Sequence, residues 1–170
     1  MKRNPLPCAT KLRLLLDYDP RSGDLRWKLS ARRGYKPGDI AGSIHKARNS
    51  YRIVRIEGRG YYAHLLIWKI VTGEEPVGLI DHADTNGLNN KWVNLRPASN
   101  AENGFNRRVN KNNKSGVKGV HWDADHGAWK AAITANKTVH VLGFFPDVAS
   151  ASATIENARP KYHGEFARAS

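Results

Sequence analysis

The sequence contains almost no cysteine. Cys8 is the single one among 170 residues, so the chain can build neither an internal disulfide nor a zinc site of cysteine thiolates. The seven histidines include no HExxH or HxxxH spacing, the arrangement by which one helix presents two imidazoles to zinc. These absences predict an intracellular protein and argue against a disulfide framework and a structural zinc.

Long hydrophobic runs are missing as well. No stretch approaches the roughly 18 consecutive apolar residues of a membrane span, and no basic amphipathic helix stands out. The apolar run LLL at residues 14–16 is followed at once by Asp17 and Asp19, so it is too short for the apolar core of a signal peptide. We therefore expect no membrane partner.

Acidic residues are scarce relative to basic ones. The chain has 28 Lys and Arg against 15 Asp and Glu, which gives a formal net charge of +13 and a pI near 10.1. Such an excess is typical of proteins that bind polyphosphates, above all nucleic acids. Apolar residues make up 40% of the sequence and include five Trp, so the chain is expected to fold, as one domain or as two small ones.

The first two thirds of the chain alternate extended and helical patterns. Residues 10–17 and 63–72 are predicted helices, and the second should end at Gly73. Ser99 and Glu102 have capping-box spacing, which predicts a further helix from about Asn100. The predicted strands of this part are LRWKL, two runs around the turn EGRG in YRIVRIEGRGYYAH, GLIDHAD and VNLRPA.

The last third predicts three strands followed by a helix. The strands are VKGVHWD, AWKAAITAN and HVLGFF, and the helix runs from Asp147 as N-cap to near Pro160. Phe144 and Phe145 are both assigned to the core, because a short sheet with one helix needs aromatic volume. Residues 106–118 hold five basic residues, four Asn and no acid, which suits a linker or an arm lying along phosphates.

The segment IDHADTNGLNNKWVNLR, residues 80–96, is either an asparagine-rich turn or an active site. His82 can take a proton from water near pH 7, and Asp81 can hold a cation such as Mg²⁺. Because neighbouring residues of a strand point to opposite faces, a bulge or bend is expected to bring both to one phosphate. Asn94 is a candidate partner for the other ring nitrogen of His82. The other asparagines are interpreted as loop-forming: Asn86, Asn89 and Asn90.

This segment and the helix after it resemble the HNH (ββα-metal) endonuclease motif, in the form found in phage and intron-encoded homing endonucleases. The resemblance rests on DH, a loop with NN, then W-x-NLR and a helix. Upstream, YYAHLLIWKIVTGEEP resembles the family's histidine-containing helix, so the likeness spans residues 10–107. It implies that Asp81 and Asn103 bind a divalent metal, Mg²⁺ in the first place with Mn²⁺ as the alternative. It further implies that His82 is the general base and that Asn94 orients it.

Two positions depart from the family pattern. Many relatives carry His where this chain has Asn103, and Asn100 and Asn106 lie on the same short helix and could take its place. Relatives usually carry a basic residue after the upstream histidine, where this chain has Leu65. Both a structural and a functional role therefore stay open for His64.

Three C-terminal segments resemble the plant-type Apetala-two DNA-binding domain. They are SGVKGVHWDADHGAWKAAI, LGFFPDVASA and KYHGEFA. The resemblance implies three antiparallel strands backed by one helix, with the sheet in the major groove. The candidate DNA contacts are Arg107, Arg108, Lys111 and Lys114 along the arm, and Lys118, His121, Trp122, Trp129 and Lys130 on the sheet. Both tryptophans suit a core position equally well, and with fewer arginines than relatives have, guanine readout should be modest.

The predicted fold class is α+β: a ββα-metal nuclease domain with an N-terminal β-rich extension at 1–107, a basic linker at 108–116 and the Apetala-two-like domain at 117–170. The expected function is metal-dependent, site-selective cleavage of double-stranded DNA, leaving 5′-phosphate and 3′-hydroxyl ends. A monomer would nick one strand, in the cytoplasm of a bacterial host. The alternatives are a DNA-binding regulator with a degenerate nuclease domain and an RNA-binding protein, although RNP-like and GXXG signatures are missing.

Overall fold

The computed structural model of the chain describes residues 5–30, 34–46, 50–105, 109 and 112–166. It divides into two compact units, Met1–Ala98 and Ser99–Ser170, called here the N-terminal and C-terminal units. This division falls before residue 107, where the sequence predicted the nuclease domain to end. None of the helices in the described ranges is long and apolar enough to cross a membrane.

The described residues of the N-terminal unit form two helices and seven strands. In chain order these are α1 (Ala9–Leu15), β1 (Leu16–Asp19), β2 (Asp24–Trp27), β3 (Ser43–His45), β4 (Tyr51–Ile56), β5 (Arg59–Tyr62), α2 (Ala63–Thr72), β6 (Leu79–His82) and β7 (Leu95–Ala98). Strand β1 pairs with β2, β4 lies between β3 and β5, and β6 pairs with β7, all of them antiparallel. A 3₁₀ turn, Trp92–Asn94, leads into β7.

Helix α2 supplies the centre of the N-terminal core. It ends at Gly73, as predicted, where a φ of 80° is left-handed and the N–H bonds to the carbonyl of Lys69. Leu66 is fully buried in one cluster with Leu12 of α1 and Ile80 of β6. Because Ile80 directly precedes the Asp-His pair, burial of this side chain anchors the hairpin that carries the pair.

The C-terminal unit has a three-stranded antiparallel sheet with β9 in the middle. Its elements are α3 (Asn100–Phe105), β8 (Val120–Asp123), β9 (Ala128–Ala135), β10 (Thr138–Phe145) and α4 (Val148–His163). Ala151 and Ile155 of α4 are fully buried in one cluster with Val120 and Ile133 of the sheet. The fold thus mixes helices with antiparallel strands, as the sequence predicted.

Both predicted helix starts in this unit are confirmed. The Ser99 N–H donates to Oε2 of Glu102 at 2.7 Å, and the Glu102 N–H donates to Oγ of Ser99 at 3.2 Å, which is a capping box. Asp147 accepts from the Ser150 N–H at 2.8 Å and caps α4. The predicted end near Pro160 is wrong, because α4 continues to His163. A proline this close to the end removes only one intrahelical hydrogen bond.

The two adjacent phenylalanines of β10 have different environments. Phe145 packs against the buried cluster, whereas Phe144 is 40% exposed. The assignment of Phe144 to the core is therefore wrong, because successive residues of a strand point to opposite faces of the sheet.

Candidate active site

The β6–β7 hairpin carries Asp81 and His82 side by side. In its ladder, Asp81 lies opposite Arg96 and His82 lies opposite Leu95. The register is unbroken from Leu79 to His82, so the expected bulge is wrong for this ladder, all of whose residues the structure describes. The two side chains leave the strand on opposite faces, and both residues are buried, with exposed fractions of 7% and 4%.

The guanidinium of Arg96 holds the carboxylate of Asp81. Its Nε and Nη2 donate to Oδ2 of Asp81 at 3.2 and 3.1 Å. A charge-assisted pair across adjacent strands balances the charge of a buried carboxylate and fixes its orientation. Sequence reasoning had assigned no role to Arg96.

Aromatic rings pack against the imidazole of His82. The ring of His64 lies edge-on to it, with ring centres 5.0 Å apart, and the ring of Tyr51 lies at 5.9 Å. His64 is itself buried and stacks on Tyr62 at 5.5 Å. Of the two roles left open for His64, this packing supports the structural one, which is to limit the movement of the His82 ring.

Asn90 is a hydrogen-bond partner of His82. Its Oδ1 lies 3.1 Å from Nε2 of the imidazole, and only 3% of Asn90 is exposed. When Nε2 is the donor, the lone pair of the neutral ring resides on Nδ1. Burial lowers the pKa of His82 below its ordinary value of 6.5, against the opposing effects of Asn90, Asp84 and Asp81. The ring is therefore neutral at pH 7.

Asn94 acts on the loop between the strands. Its Nδ2 donates to Oδ1 of Asp84 at 2.9 Å and to the carbonyl of Asn89 at 2.7 Å, and its Oδ1 accepts from the Asp84 N–H at 3.0 Å. The expected hydrogen bond from His82 to Asn94 is thus replaced by the one to Asn90. The loop bends so that the amide nearer to the middle of the segment contacts the ring.

Asp84 is the centre of the hydrogen bonds that close this loop. It also accepts from the Asn86 N–H at 2.8 Å and from Nδ2 of Asn89 at 2.7 Å. Burial favours the neutral acid, but the hydrogen bonds from Asn89, Asn86 and Asn94 outweigh burial and hold the pKa of Asp84 below its ordinary value. An ionised carboxylate accepting several bonds makes the loop a defined support for Asn90.

The rest of the N-terminal unit holds the loop from outside. The hydroxyl of Tyr18 donates to the carbonyl of Asn90 at 2.8 Å, and burial raises the pKa of Tyr18 to about 12, so it stays a donor. A Cβ on Gly23 would lie 2.6 Å from the carbonyl carbon of Asn90, and one on Gly87 would lie 2.5 Å from the ring of Tyr51. Both glycines permit a backbone approach that a side chain would block.

Besides Arg96, the site residues that sequence reasoning missed are Asn90, Asp84 and Tyr18. Asp84 accepts from the N–H two residues further on, the pattern of an Asx turn, and this local signal could have been used. No local signal marks Tyr18, which lies 72 positions from Asn90.

The oxygen donors of the site suit a hard cation. Among the residues that the structure describes, no group of three His, Cys, Asp or Glu side chains could hold a metal ion. The predicted ligands are the carboxylate of Asp81 and the amide of Asn103, which is half-buried on α3 in the C-terminal unit. Asn100 is exposed on the same helix, and Asn106 lies outside the described residues. The carboxylate of Asp81, completed by water and substrate phosphate, fits Mg²⁺.

The predicted DNA contacts at the start of the C-terminal unit have different environments. Lys118 donates from Nζ to the carbonyls of Gly104 and Phe105, at 2.8 Å each, and so binds the end of α3. Lys114 is exposed. The remaining arm residues lie outside the described residues: Arg107, Arg108 and Lys111.

Of the five contacts predicted on the sheet, Lys118 precedes β8, and the other four lie on β8 and β9. His121 is opposite Lys130, and Trp122 is opposite Trp129. The two indole rings meet edge-on with centres 5.4 Å apart. Trp129 packs against the buried cluster, whereas Trp122 is 52% exposed.

Comparison with known proteins finds relatives of the segment that carries Asp81 and His82. A protein-family model described as "HNH endonuclease" matches residues 61–105. The chain is 37% identical to "Protein 3.8" of Escherichia phage T7 over 106 residues, which are 62% of this chain and 87% of that relative. It is 31% identical over 99 residues to a protein named as an uncharacterized HNH endonuclease of Acanthamoeba polyphaga mimivirus, covering 58% of this chain and 50% of that relative. No solved structure is significantly similar to the chain.

Proposed function

The chain belongs to the HNH endonuclease family and is a nuclease, and from this premise we propose that it is a metal-dependent, site-selective DNA endonuclease of the homing type. The observation that carries the proposal is the buried, neutral His82, bonded to Asn90 and adjacent to Asp81 inside the matched segment. In this proposal the N-terminal unit supplies the base that activates water, and the C-terminal unit binds the DNA.

His82 is the proposed general base. Its Nδ1 takes a proton from the water that attacks the phosphorus, because Nε2 is engaged with Asn90. A pKa below 6.5 keeps the ring neutral at pH 7, and a positioned general base contributes roughly 10²–10⁴-fold to the rate. Asn94 takes part through the loop, since its bonds to Asp84 and Asn89 hold the segment that carries Asn90.

Asp81 and Asn103 are the proposed metal ligands. A divalent cation, Mg²⁺ or Mn²⁺, supplies charge neutralisation at the phosphate and at the leaving 3′ oxygen when bound. Arg96 holds Asp81 through Oδ2 and so orients the carboxylate toward a ligand. The bond from phosphorus to the 3′ oxygen breaks and this oxygen takes a proton from solvent, which leaves a 3′-hydroxyl and a 5′-phosphate.

The C-terminal unit is the proposed DNA-binding module, of the Apetala-two-like type. Its sheet would enter the major groove, and the arm with Arg107, Arg108, Lys111 and Lys114 would lie along the phosphates. One active site per chain means that a monomer nicks one strand. A viral gene product acting inside a bacterial host would meet duplex DNA there.

The test is the relaxation of supercoiled plasmid by the full chain with Mg²⁺ or Mn²⁺. We expect nicked circles that DNA ligase seals directly, because ligase needs a 5′-phosphate and a 3′-hydroxyl. His82→Ala should slow nicking by about a hundredfold or more. The matched control is His45→Ala, which removes an exposed histidine of β3 in the same unit and should nick at the unaltered rate.

Each part of the proposal fails on a different result. Nicking by His82→Ala at the unaltered rate would reject the general base. Nicking that persists in excess chelator would reject metal dependence, and nicks that ligase cannot seal would reject the assigned ends. Tight DNA binding without cleavage in either metal would favour a regulator with an inactive nuclease domain.

A further inference from the structure

The outer face of the C-terminal sheet, defined as the face turned away from α4, carries three successive cross-strand rows. They are His121 with Lys130 and Phe144, then Ala132 with Val141, then Thr134 with Val139. Val139, Val141 and Phe144 are 60%, 50% and 40% exposed. Apolar side chains this exposed and this close together mark a surface that is covered when the protein acts.

Polar groups on the outer face are concentrated at one end. Nζ of Lys130 lies 3.9 Å from Oδ2 of Asp123 and 5.8 Å from the ring centre of Phe144. His126 stacks on Phe144 at 3.8 Å and bonds to Oδ1 of Asp123 at 2.9 Å. The other two rows offer methyl groups and the hydroxyl of Thr134.

The side chains of the second and third rows are suited to contact thymine and not the other three bases. Guanine is read in the major groove by Arg or Lys, adenine by Asn or Gln, and the 5-methyl group of thymine by apolar contact. The second and third rows contain no Arg, Lys, Asn or Gln, and Ala132, Val141 and Val139 supply methyl groups. Successive rows are about 7 Å apart along the strand, which is roughly two base-pair steps of 3.4 Å.

Charge favours DNA over an apolar protein partner for this face. The chain carries a net charge of +13 and belongs to a nuclease family. Lys130 lies in the first row, and the exposed Lys137 lies in the β9–β10 turn, beyond the third row. Two cations flanking an apolar strip are complementary to the two phosphate backbones that border a major groove.

We propose that the outer face reads the 5-methyl groups of thymine in the major groove of duplex DNA, with Val139 and Val141 as specificity-determining residues, so that the target is rich in A·T pairs. This inference rests on the proposed function, DNA binding by the C-terminal unit, and deepens it by naming the base. Each methyl contact should change the affinity by about fourfold, the value of one buried methylene.

The experiment replaces thymine by uracil, which lacks the methyl group and keeps every hydrogen-bonding group. The full chain carrying His82→Ala selects its preferred site from a pool of random duplexes without cutting it. That site is then made with thymidine or with deoxyuridine. We expect selected sites rich in thymine, and two or three lost methyl contacts should weaken binding of the deoxyuridine form by about tenfold or more.

Two variants assign the effect to the outer face. In Val139→Thr/Val141→Thr, side chains of nearly the same shape lose one methyl each, and the affinity ratio of thymidine to deoxyuridine forms should fall toward one. Val77→Thr is the matched control, because Val77 is 93% exposed in the N-terminal unit, and it should keep the unaltered ratio. If the double variant does not fold, the chain with both valines intact still tests thymine readout, through its affinities for the thymidine and deoxyuridine duplexes.

The outcomes separate this inference from the proposed function. Equal affinity for the two forms overturns thymine readout and leaves DNA binding standing. Failure to bind any duplex overturns the proposed function itself. A dimer in light scattering that the double variant converts to a monomer overturns the inference in another way, because the outer face is then an interface between two copies of the chain.

Discussion

At the scale of single residues, the side chains around His82 have separable tasks. Asn90 contacts the imidazole at Nε2, whereas Asn94 contacts Asp84 and Asn89. The W-x-NLR pattern pointed to Asn94 as the partner of His82, and it could not show which amide the loop brings to the ring. That depends on how the loop between His82 and Asn90, which lie eight positions apart, bends, and local sequence does not encode this bend.

We expect Asn90→Ala to lower kcat by about 10–100-fold with little change in KM, a loss of the size seen when the group that orients a metal-binding histidine is removed. Asn94→Ala should lower the thermal midpoint as well as kcat, because it removes three hydrogen bonds of the loop. Steady-state nicking and thermal melts of both variants measure the difference. An unchanged kcat in Asn90→Ala would show that the ring is oriented by its packing.

Two histidines, His82 buried and His163 half-buried, make stability depend on pH. Burial lowers the pKa of His82 and of His163 below 6.5, so the unfolded chain binds these protons more readily than the folded one. Their contribution to stability is full above the unfolded pKa of 6.5 and is lost as the pH falls below it. The urea midpoint should therefore fall between about pH 7 and 5.

Two histidine variants serve as test and control for this pH dependence. His82→Ala should flatten the dependence of the urea midpoint on pH, and His45→Ala should leave it as steep as before, because His45 is exposed. A slope that His82→Ala leaves unaltered would show that His82 is not buried in solution.

At the scale of elements, residues close together in sequence determined where helices begin and end. The left-handed Gly73 ended α2, and the Ser99–Glu102 box began α3. Strand β3, Ser43–His45, was not predicted, because its three residues are all exposed and are too few to show a strand pattern. Such short elements form because a neighbouring strand offers backbone partners.

Asp147 gives a test at this scale. Asp147→Ala removes the acceptor for the N–H and the hydroxyl of Ser150 at the start of the 16-residue α4. We expect the melting temperature of the C-terminal unit to fall by roughly 4–8 °C. Asp147→Asn keeps an acceptor and should melt close to the unaltered chain in calorimetry. Equal melting temperatures of the Ala and Asn variants would show that the side-chain cap does not contribute to the stability of the unit.

At the scale of the whole molecule, charge governs how the protein meets its substrate. A net charge of +13 gives a long-range attraction to DNA that salt screens. If basic side chains neutralise about six phosphates, affinity for duplex DNA should fall about a thousandfold between 50 and 200 mM salt. Fluorescence anisotropy measures this slope, and Lys114→Ala/Lys137→Ala should make it shallower by about two. A slope near zero would contradict phosphate binding.

The sequence by itself determined the HNH segment, the helix caps, the basic character and the absence of a disulfide framework, because each depends on composition or on residues a few positions apart. Tertiary structure decided that Asn90 rather than Asn94 contacts His82, that Tyr18 and Gly23 support the loop, and that Lys118 binds the end of α3. Those contacts join residues distant in sequence or set by the path of a loop, and only the packed core fixes which of several similar side chains comes within hydrogen-bonding distance.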